Sequence, residues 1–440
     1  LTNASNYLTT PTYDGSGKAT HPGVVYIPNG WNGYRYWMVM TPYPNSDINY
    51  ENPSILVSND NMNWSVPSGL TNPLVGHPTV GHNNDPELVY SPANNTMYMY
   101  YLEADDNAVT YLKVMYSTDG IHWSSPAAAF TSQPGQRYGV ISPTALYNTT
   151  DGKYYMWYVN AGDNGFNNQT NTLEFRSSTG GSWSSATTCN MPFSSLGIIP
   201  WHIDVTYVPE KNEYWMVFNA YTNGGNSGDP TKLWFAKSTD RINWTMDSAP
   251  LLSWGAAGTW DAHKIYRTNV LYDAPSNKIR LWYSANADSD NGNTWHIGYT
   301  EGTFDGAIAN PVPPQSTWTT VDNASAAFSG TWESWTDSRC HAGGSRGSKT
   351  ANSYAQYTFT GTGIKWIGQK DSNFGQAEVY IDNVLQTTVD CYNPADVFQQ
   401  ELYTKTGLAN ASHTIKIVCK GTHGSGSDNY IEVDAFKVLN

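Results

Sequence analysis

The chain has 440 residues, of which 39% are hydrophobic and 14% aromatic, while only 14% are charged. Its length exceeds what one hydrophobic core usually serves, so two or more domains are expected. A formal net charge of −14 repels phosphate backbones and anionic lipid, and no stretch approaches the ~20 continuous apolar residues of a membrane span, so neither nucleic acid nor a membrane is expected as a partner.

In chain order the text repeats itself five times. Each unit opens with a short apolar run: GVVYIP from Gly23, ELVYSP from Glu87, TALYN from Thr144, DVTYVP from Asp204 and NVLYDAP from Asn269. An aromatic-rich second strand follows: YRYWMVM from Tyr34, TMYMYYL from Thr96, KYYMWYV from Lys153, EYWMVF from Glu213 and KIRLWYS from Lys278. A third strand then runs into a polar turn closed by Trp64, Trp123, Trp183 and Trp244, and the fifth unit closes less clearly around WHIGYTEGTF from Trp295. Closing tryptophans recurring about every 60 residues match a large four-stranded propeller blade. Alternating β-branched and aromatic residues between Asn-Gly and Asp-Gly breaks read as antiparallel hairpins. The turn S-x-D-x-x-x-W is structural, its Asp satisfying backbone donors and its Trp plugging the space between blades.

Residues 307–317 are rich in Gly, Ala and Pro and read as a linker. Beyond them AQYTFTGTGIKWIG, AEVYIDNVLQTTVD, HTIKIVCKG and YIEVDAFKVL continue as strands without the repeat. The expected architecture is therefore all-β: a five-bladed β-propeller over 1–306, then a jelly-roll-like β-sandwich over 318–440. A surface built from Asn, Ser, Thr and Gly points to secretion, although no basic-then-apolar leader opens the chain, which reads as a mature or trimmed form. Cys189, Cys340, Cys391 and Cys419 lack zinc-ligand spacing; one disulfide in the C-terminal region and four buried thiols are both open.

Propeller chemistry belongs where the innermost strands open at one face. The residues just before the five apolar runs are His21-Pro22, Asp85-Pro86, Ser142-Pro143, His202-Ile203 with Asp204, and Arg267-Thr268 with Asn269. Two His, two Asp and one Arg on one axis are costly to bury unless paired or set in a working cleft. His82 and His263 lie on cleft segments, and His21, His82, His202 and His263 together suit sugar-hydroxyl binding, acid chemistry or an ion. Trp201, Trp260 and Tyr43 offer flat faces for sugar rings. Arg267 could grip a carboxylated or sulfated sugar.

The five-blade pattern, with Asp-Pro opening the second unit in HNNDPELVY, resembles the arabinanase, β-xylosidase and invertase superfamily of glycoside hydrolases over about residues 15–305. The resemblance implies three acids: one opening the first blade, a second in Asp-Pro, and a Glu in the third blade. Only Asp85 matches; the first-blade position is His21 and the third-blade position Ile141, so the chain looks like a divergent member. The C-terminal FSGTWESW, YTFTGTGIKWIG and IEVDAFKV resemble sandwich modules appended to polysaccharide-degrading enzymes, with Trp332, Trp335 and Tyr392 as candidate sugar platforms and Trp366 as core.

Glycoside hydrolysis uses two carboxyl groups. The expected pair is Asp85 and Asp204, with Glu51 as a further acid or base and Asp261 in reserve. Glu51 could equally cap a turn before Pro53, and Asp261 could pair with Arg267. The expected function is a secreted glycoside hydrolase acting on a polysaccharide or oligosaccharide, with a non-catalytic glycan-binding protein or a lyase as alternatives. No cofactor is required and no metal ligands are assigned, with a structural calcium ion left open.

Overall fold

The computed structural model describes all residues except 106–108, 164, 166–170, 223–228, 288–294, 315–317 and 440, and leaves aside the side chain of residue 410. The chain divides into two compact units, residues 1–315 and 316–440. Among the described residues every regular element is a strand or a short 3-10 turn, and no helix is long and apolar enough to cross a membrane.

The first unit holds five antiparallel sheets, one per sequence repeat. Their innermost strands are Ala19–Trp31, His82–Ser91, Ile141–Asn148, Ile198–Val208 and Lys264–Asp273. Each packs against the next, and the fifth returns to the first, so the ring closes as a five-bladed propeller. The closure uses the chain's beginning: Tyr7 bridges Gly298, the Leu8 N–H donates to the Ile297 carbonyl at 2.8 Å, and the Thr300 hydroxyl donates to the Thr2 carbonyl at 2.6 Å. Residues 2–8 thus dress the outer edge of the last blade, which is why the fifth repeat reads as incomplete.

The aromatic second strands are the blade centres, and Trp37, Trp157, Trp215 and Trp282 are almost fully buried. Closing tryptophans wedge between neighbours. Trp64 packs with Tyr36 and, from the last blade, Trp282; Trp123 against Trp31 and Trp37; Trp183 against Tyr100; Trp244 against Trp157. The turns hold as expected: Asp60 accepts from the N–H groups of Met62 and Asn63, Asp119 from Ile121 and His122, Asp240 from Ile242 and Asn243, and each following Trp Nε1–H donates to a backbone carbonyl three residues back.

Part of the expected linker is sheet. Pro311–Val312 pairs with Thr245–Asp247 at the edge of blade four, and Pro suits an edge because it has no N–H to donate. Of the rest, 315–317 lie outside the described residues.

The second unit is a sandwich. A seven-stranded sheet is built around Tyr354–Lys370 and Val397–Cys419, and Glu333–Thr336, Gly344–Ser348 and Ile431–Val433 form a three-stranded sheet. Phe359, Trp366, Phe374, Val379, Ile417, Ile431 and Phe436 fill its core, with Trp366 fully buried as expected. All four cysteines are buried free thiols.

Candidate functional site

Each innermost strand slips register near its start: between Thr20 and Gly23, Asn84 and Glu87, Ile141 and Thr144, Pro200 and Ile203, and Ile265 and Thr268. A bulge leaves residues unpaired and turns their side chains out of the strand's alternation. His21, Asp85, Ser142, His202 and Arg267 sit in these bulges. The first three precede proline, which cannot donate to the ladder, and they take left-handed φ values of 56°, 46° and 49°. Non-glycine residues held there cost about 1–3 kcal/mol each, a strain that concentrates at functional sites.

The five tips meet around Asp85. Its Oδ2 accepts from the Ser142 N–H at 2.8 Å. Its Oδ1 faces His21 Nε2 at 3.4 Å, His202 Nδ1 at 3.5 Å and Arg267 Nη1 at 3.4 Å. Arg267 is fully buried, and its Nη2 donates to Glu87 Oε2 at 2.9 Å and to the Pro143 carbonyl at 3.0 Å. The guanidinium therefore neutralises carboxylates behind the site, and the expected role in gripping an anionic sugar is corrected.

Electrostatics sort the cluster. Burial drives both histidines down against the pull of Asp85, His21 to about 4 and His202 well below the usual imidazole value. Burial opposes the charge of Asp85, but His202, His21 and Arg267 outweigh it and hold its carboxyl at about 2. At neutral pH the imidazoles are uncharged, so Arg267 and the Ser142 N–H do that work. The result is two neutral imidazoles beside one carboxylate, the donor set of a divalent metal. One donor atom from each of His21, Asp85 and His202 lies within 4.8 Å of the others. Donors 2.0–2.1 Å from a tetrahedral ion are about 3.4 Å apart, matching both histidine contacts to Asp85. Asp85 Oδ1 and both ring nitrogens of His202 are buried without a hydrogen-bond partner, as atoms awaiting a ligand would be.

Glu51 lies on the other edge of His21, its Oε1 3.5 Å from Nδ1, which also meets the Thr41 hydroxyl at 3.0 Å. It caps a 3-10 turn just before the third strand of its blade, the turn before Pro53 that the sequence allowed. Burial and the charge of Asp85 push its carboxyl well above the ordinary value. An aromatic wall stands beside the cluster: Tyr266 packs edge-on to His202 at 4.2 Å and against Trp295 at 5.2 Å, Trp295 meets Tyr43 at 6.1 Å, and Trp201 Nε1–H donates to the Tyr266 hydroxyl at 2.9 Å. His82 is half-buried, its Nε2 3.3 Å from Asn84 Nδ2.

Other expected site residues lie elsewhere. Asp204 is two residues further along its strand, where it accepts from the Thr144 hydroxyl at 2.9 Å, Asn269 Nδ2 at 3.0 Å and the Val270 N–H at 2.6 Å. Both oxygens are committed to neighbouring blades, so it ties strands together beneath the site instead of pairing with Asp85. Asp261 accepts from Asn3, Thr259 and the Tyr283 hydroxyl, not from Arg267. Trp260 stacks on Tyr283 and donates to the Ala4 carbonyl, and the backbone N–H of His263 donates to the Asn286 carbonyl. Glu87, Tyr266 and Trp295 were not singled out from sequence. Tyr266-Arg267 occupies the same bulge as Trp201-His202, and that alignment would have found it.

No family model matches the chain. The crystal structure of an N-acetylgalactosamine deacetylase from F. plautii, in complex with blood group B trisaccharide, is 31% identical with a TM-score of 0.64, covering 69% of this chain and 96% of that one. The chain belongs to the family of that deacetylase. Among curated proteins, the "A type blood N-acetyl-alpha-D-galactosamine deacetylase" of Flavonifractor plautii is 32% identical over 372 residues. The alignment covers 69% of this chain and 48% of that protein, so the chain spans about half the length of its curated deacetylase-family relative. The catalytic domain of a Coprinopsis cinerea α-L-arabinofuranosidase aligns at a TM-score of 0.50 and 13% identity over 70% of the chain and 98% of its own length, a likeness of fold alone. The expected propeller thus stands.

Proposed function

We propose that this chain removes the acetyl group from an N-acetylated amino sugar of a glycan, at a divalent metal held by His21, Asp85 and His202. The observation that carries the reading is the donor set at the bulge tips: two neutral imidazoles and one carboxylate with unpartnered buried atoms, His21 standing where the resemblance implies the first-blade acid. The metal departs from the expectation of a metal-free hydrolase. Support comes from the deacetylase activity for which the crystallised relative is named and from its bound trisaccharide. When bound, a divalent ion would polarise the acetamido carbonyl, ease deprotonation of water and favour the ionised form of Glu51.

The chain's own residues supply the rest. Asp85, fixed by the Ser142 N–H, and the two histidines set the centre. Glu51 takes the proton from the attacking water as the new C–O bond forms, and returns it to the amide nitrogen as the C–N bond breaks, leaving a free amine and acetate. Tyr266, Trp295 and Tyr43 form an apolar wall for the sugar face. The sandwich unit would bind polysaccharide through Trp335 and keep the enzyme near its substrate, and extracellular action fits the uncharged polar surface.

A second reading, two-carboxylate hydrolysis of the glycosidic bond, draws on Glu51 and Asp85 flanking His21. One assay separates the two. The zinc-loaded chain is incubated with oligosaccharides ending in N-acetylhexosamine, and acetate and new reducing ends are both measured. Acetate release abolished by Glu51→Gln and by chelation supports deacetylation; reducing ends without acetate overturn it.

A further inference from the structure

The two histidines of the centre are held in different ways. Both ring nitrogens of His202 lack a hydrogen-bond partner among the described residues, and its place is set through the backbone, whose N–H donates to Asn219 Oδ1 at 2.7 Å. His21 is held by its ring. Nδ1 lies 3.0 Å from the Thr41 hydroxyl, and Nε2 faces Asp85 Oδ1 at 3.4 Å. The chemistry proposed for the centre makes no use of Thr41.

Thr41 stands near the end of Tyr34–Pro42, the second strand of blade one, and pairs with Thr20 just before the bulge that lifts His21. It follows Trp37, Met38, Val39 and Met40, and like them it is almost fully buried. Packing alone asks for an apolar residue in that row. Valine would fill the same branched shape, and a buried hydroxyl is costly unless it is hydrogen-bonded. The ladder thus delivers one hydroxyl to the imidazole on the neighbouring strand, where burial by itself would have excluded it.

That hydroxyl decides where the imidazole keeps its proton. A ring nitrogen that holds a metal offers its lone pair, so the other nitrogen carries the hydrogen, and the acceptor it meets fixes both tautomer and ring orientation. Nε2 is the nitrogen that faces Asp85, which leaves the proton on Nδ1. Two acceptors stand before it, Thr41 Oγ1 at 3.0 Å and Glu51 Oε1 at 3.5 Å. The first distance lies within the range of an N–H···O hydrogen bond and the second lies beyond it. Thr41 therefore takes the bond, and the Glu51 carboxylate is left unengaged by the ring.

We infer that Thr41 is a positioning residue: its hydroxyl accepts the Nδ1 proton of His21, so that Nε2 presents its lone pair to the metal and Glu51 stays free to act on water. The inference rests on the reading of His21, Asp85 and His202 as metal ligands. Without the hydroxyl, Glu51 is the acceptor that remains beside Nδ1, and the base becomes tied to the ring it should only flank.

Wild type, Thr41→Val and Thr41→Ser are compared. Val keeps the volume and removes the hydroxyl; Ser keeps the hydroxyl and removes a methyl group. Zinc affinity measured by calorimetry should fall about ten- to hundredfold in Thr41→Val, the usual cost of losing a partner of a metal-bound histidine, and should recover in Thr41→Ser. With zinc saturating, kcat for acetate release from an N-acetylhexosamine-terminated oligosaccharide should fall about tenfold in Thr41→Val at unchanged KM, part of what a general base supplies. A residue that only filled the core would reverse the order, since Ser leaves a cavity and Val does not. Zinc affinity in Thr41→Val equal to wild type, or a loss in Thr41→Ser as large as in Thr41→Val, overturns the role of Thr41 while the metal centre stands. A wild type that binds no zinc overturns the centre and this inference together. If zinc binds but no acetate is released, the deacetylase reading fails and the order of the three zinc affinities alone decides for or against Thr41.

Discussion

Replacing Glu432 with Gln should stabilise the sandwich unit at alkaline pH and leave it unchanged at acid pH. Glu432 is 1% exposed. One oxygen accepts from the Gln369 N–H, and the other lies 3.8 Å from Cys340 Sγ. Burial first, and the nearby charge of Asp434, raise its carboxyl from 4.5 to about 7. At 1.36 kcal/mol per unit, that difference amounts to about 3 kcal/mol. The folded form keeps its proton to higher pH than the unfolded chain does. The stabilisation is therefore fully present below the unfolded value and is lost as pH rises through about 7. Gln keeps a carbonyl for the Gln369 N–H and carries no charge to desolvate. Hydrogen exchange read by mass spectrometry on peptides from Tyr354–Lys370 and Val397–Cys419 reports this unit separately from the propeller. Between pH 5 and 8 the variant should gain about 3 kcal/mol relative to wild type. A difference between the two proteins that stays constant over that range would refute the reasoning.

Trp244→Ala should cost about 3–5 kcal/mol of propeller stability, read by thermal or urea unfolding, because a fully buried indole between two blades leaves a cavity that neighbouring Trp157 cannot fill. His202→Ala should weaken zinc binding at least a hundredfold by calorimetry with the far-ultraviolet spectrum unchanged; undiminished affinity would remove the metal centre. Asp204→Ala strands the Val270 N–H, the Asn269 amide and the Thr144 hydroxyl, and at about 1–3 kcal/mol each should lower the melting temperature sharply without altering zinc affinity per folded molecule. Trp335→Ala should reduce retention on insoluble polysaccharide in a pull-down. Its ring lies against Gly347, where a Cβ would come within 2.1 Å of the indole, so Gly347→Ala should show the same loss by displacing the ring.

The repeat, the blade count and the closing tryptophans were legible because they are local. A Ser-x-Asp turn satisfies its own backbone, and a Trp every 60 residues has no partner except the next blade. The bulge-tip residues were legible too, since polar residues before Pro at a strand start break the alternation that packing demands. Less visible was what binds the ends of the ring. Residues 2–8 carry no repeat signal, yet they complete blade five through contacts hundreds of residues distant in sequence. Arg267 was legible as an oddity but not in its role, because nothing in TNVLY or DPELVY says that Glu87 reaches across the channel to it at 2.9 Å.

Depth is the harder property. Along a strand, residues two apart share a face, so pattern alone puts His202 with Asp204 and Asp85 with Glu87 on the axis. The rise of about 3.3 Å per residue then sets them roughly 6.6 Å apart along it, more than a carboxylate can reach. The bulge decides which member of each pair is raised to the cleft. Asp85 and His202 lie in the irregular step, whereas Glu87 and Asp204 lie just past it, where the ladder has resumed. The register slip therefore sets which side chains meet at the cleft, and the regular ladder just past it places Asp204 to tie the strands beneath.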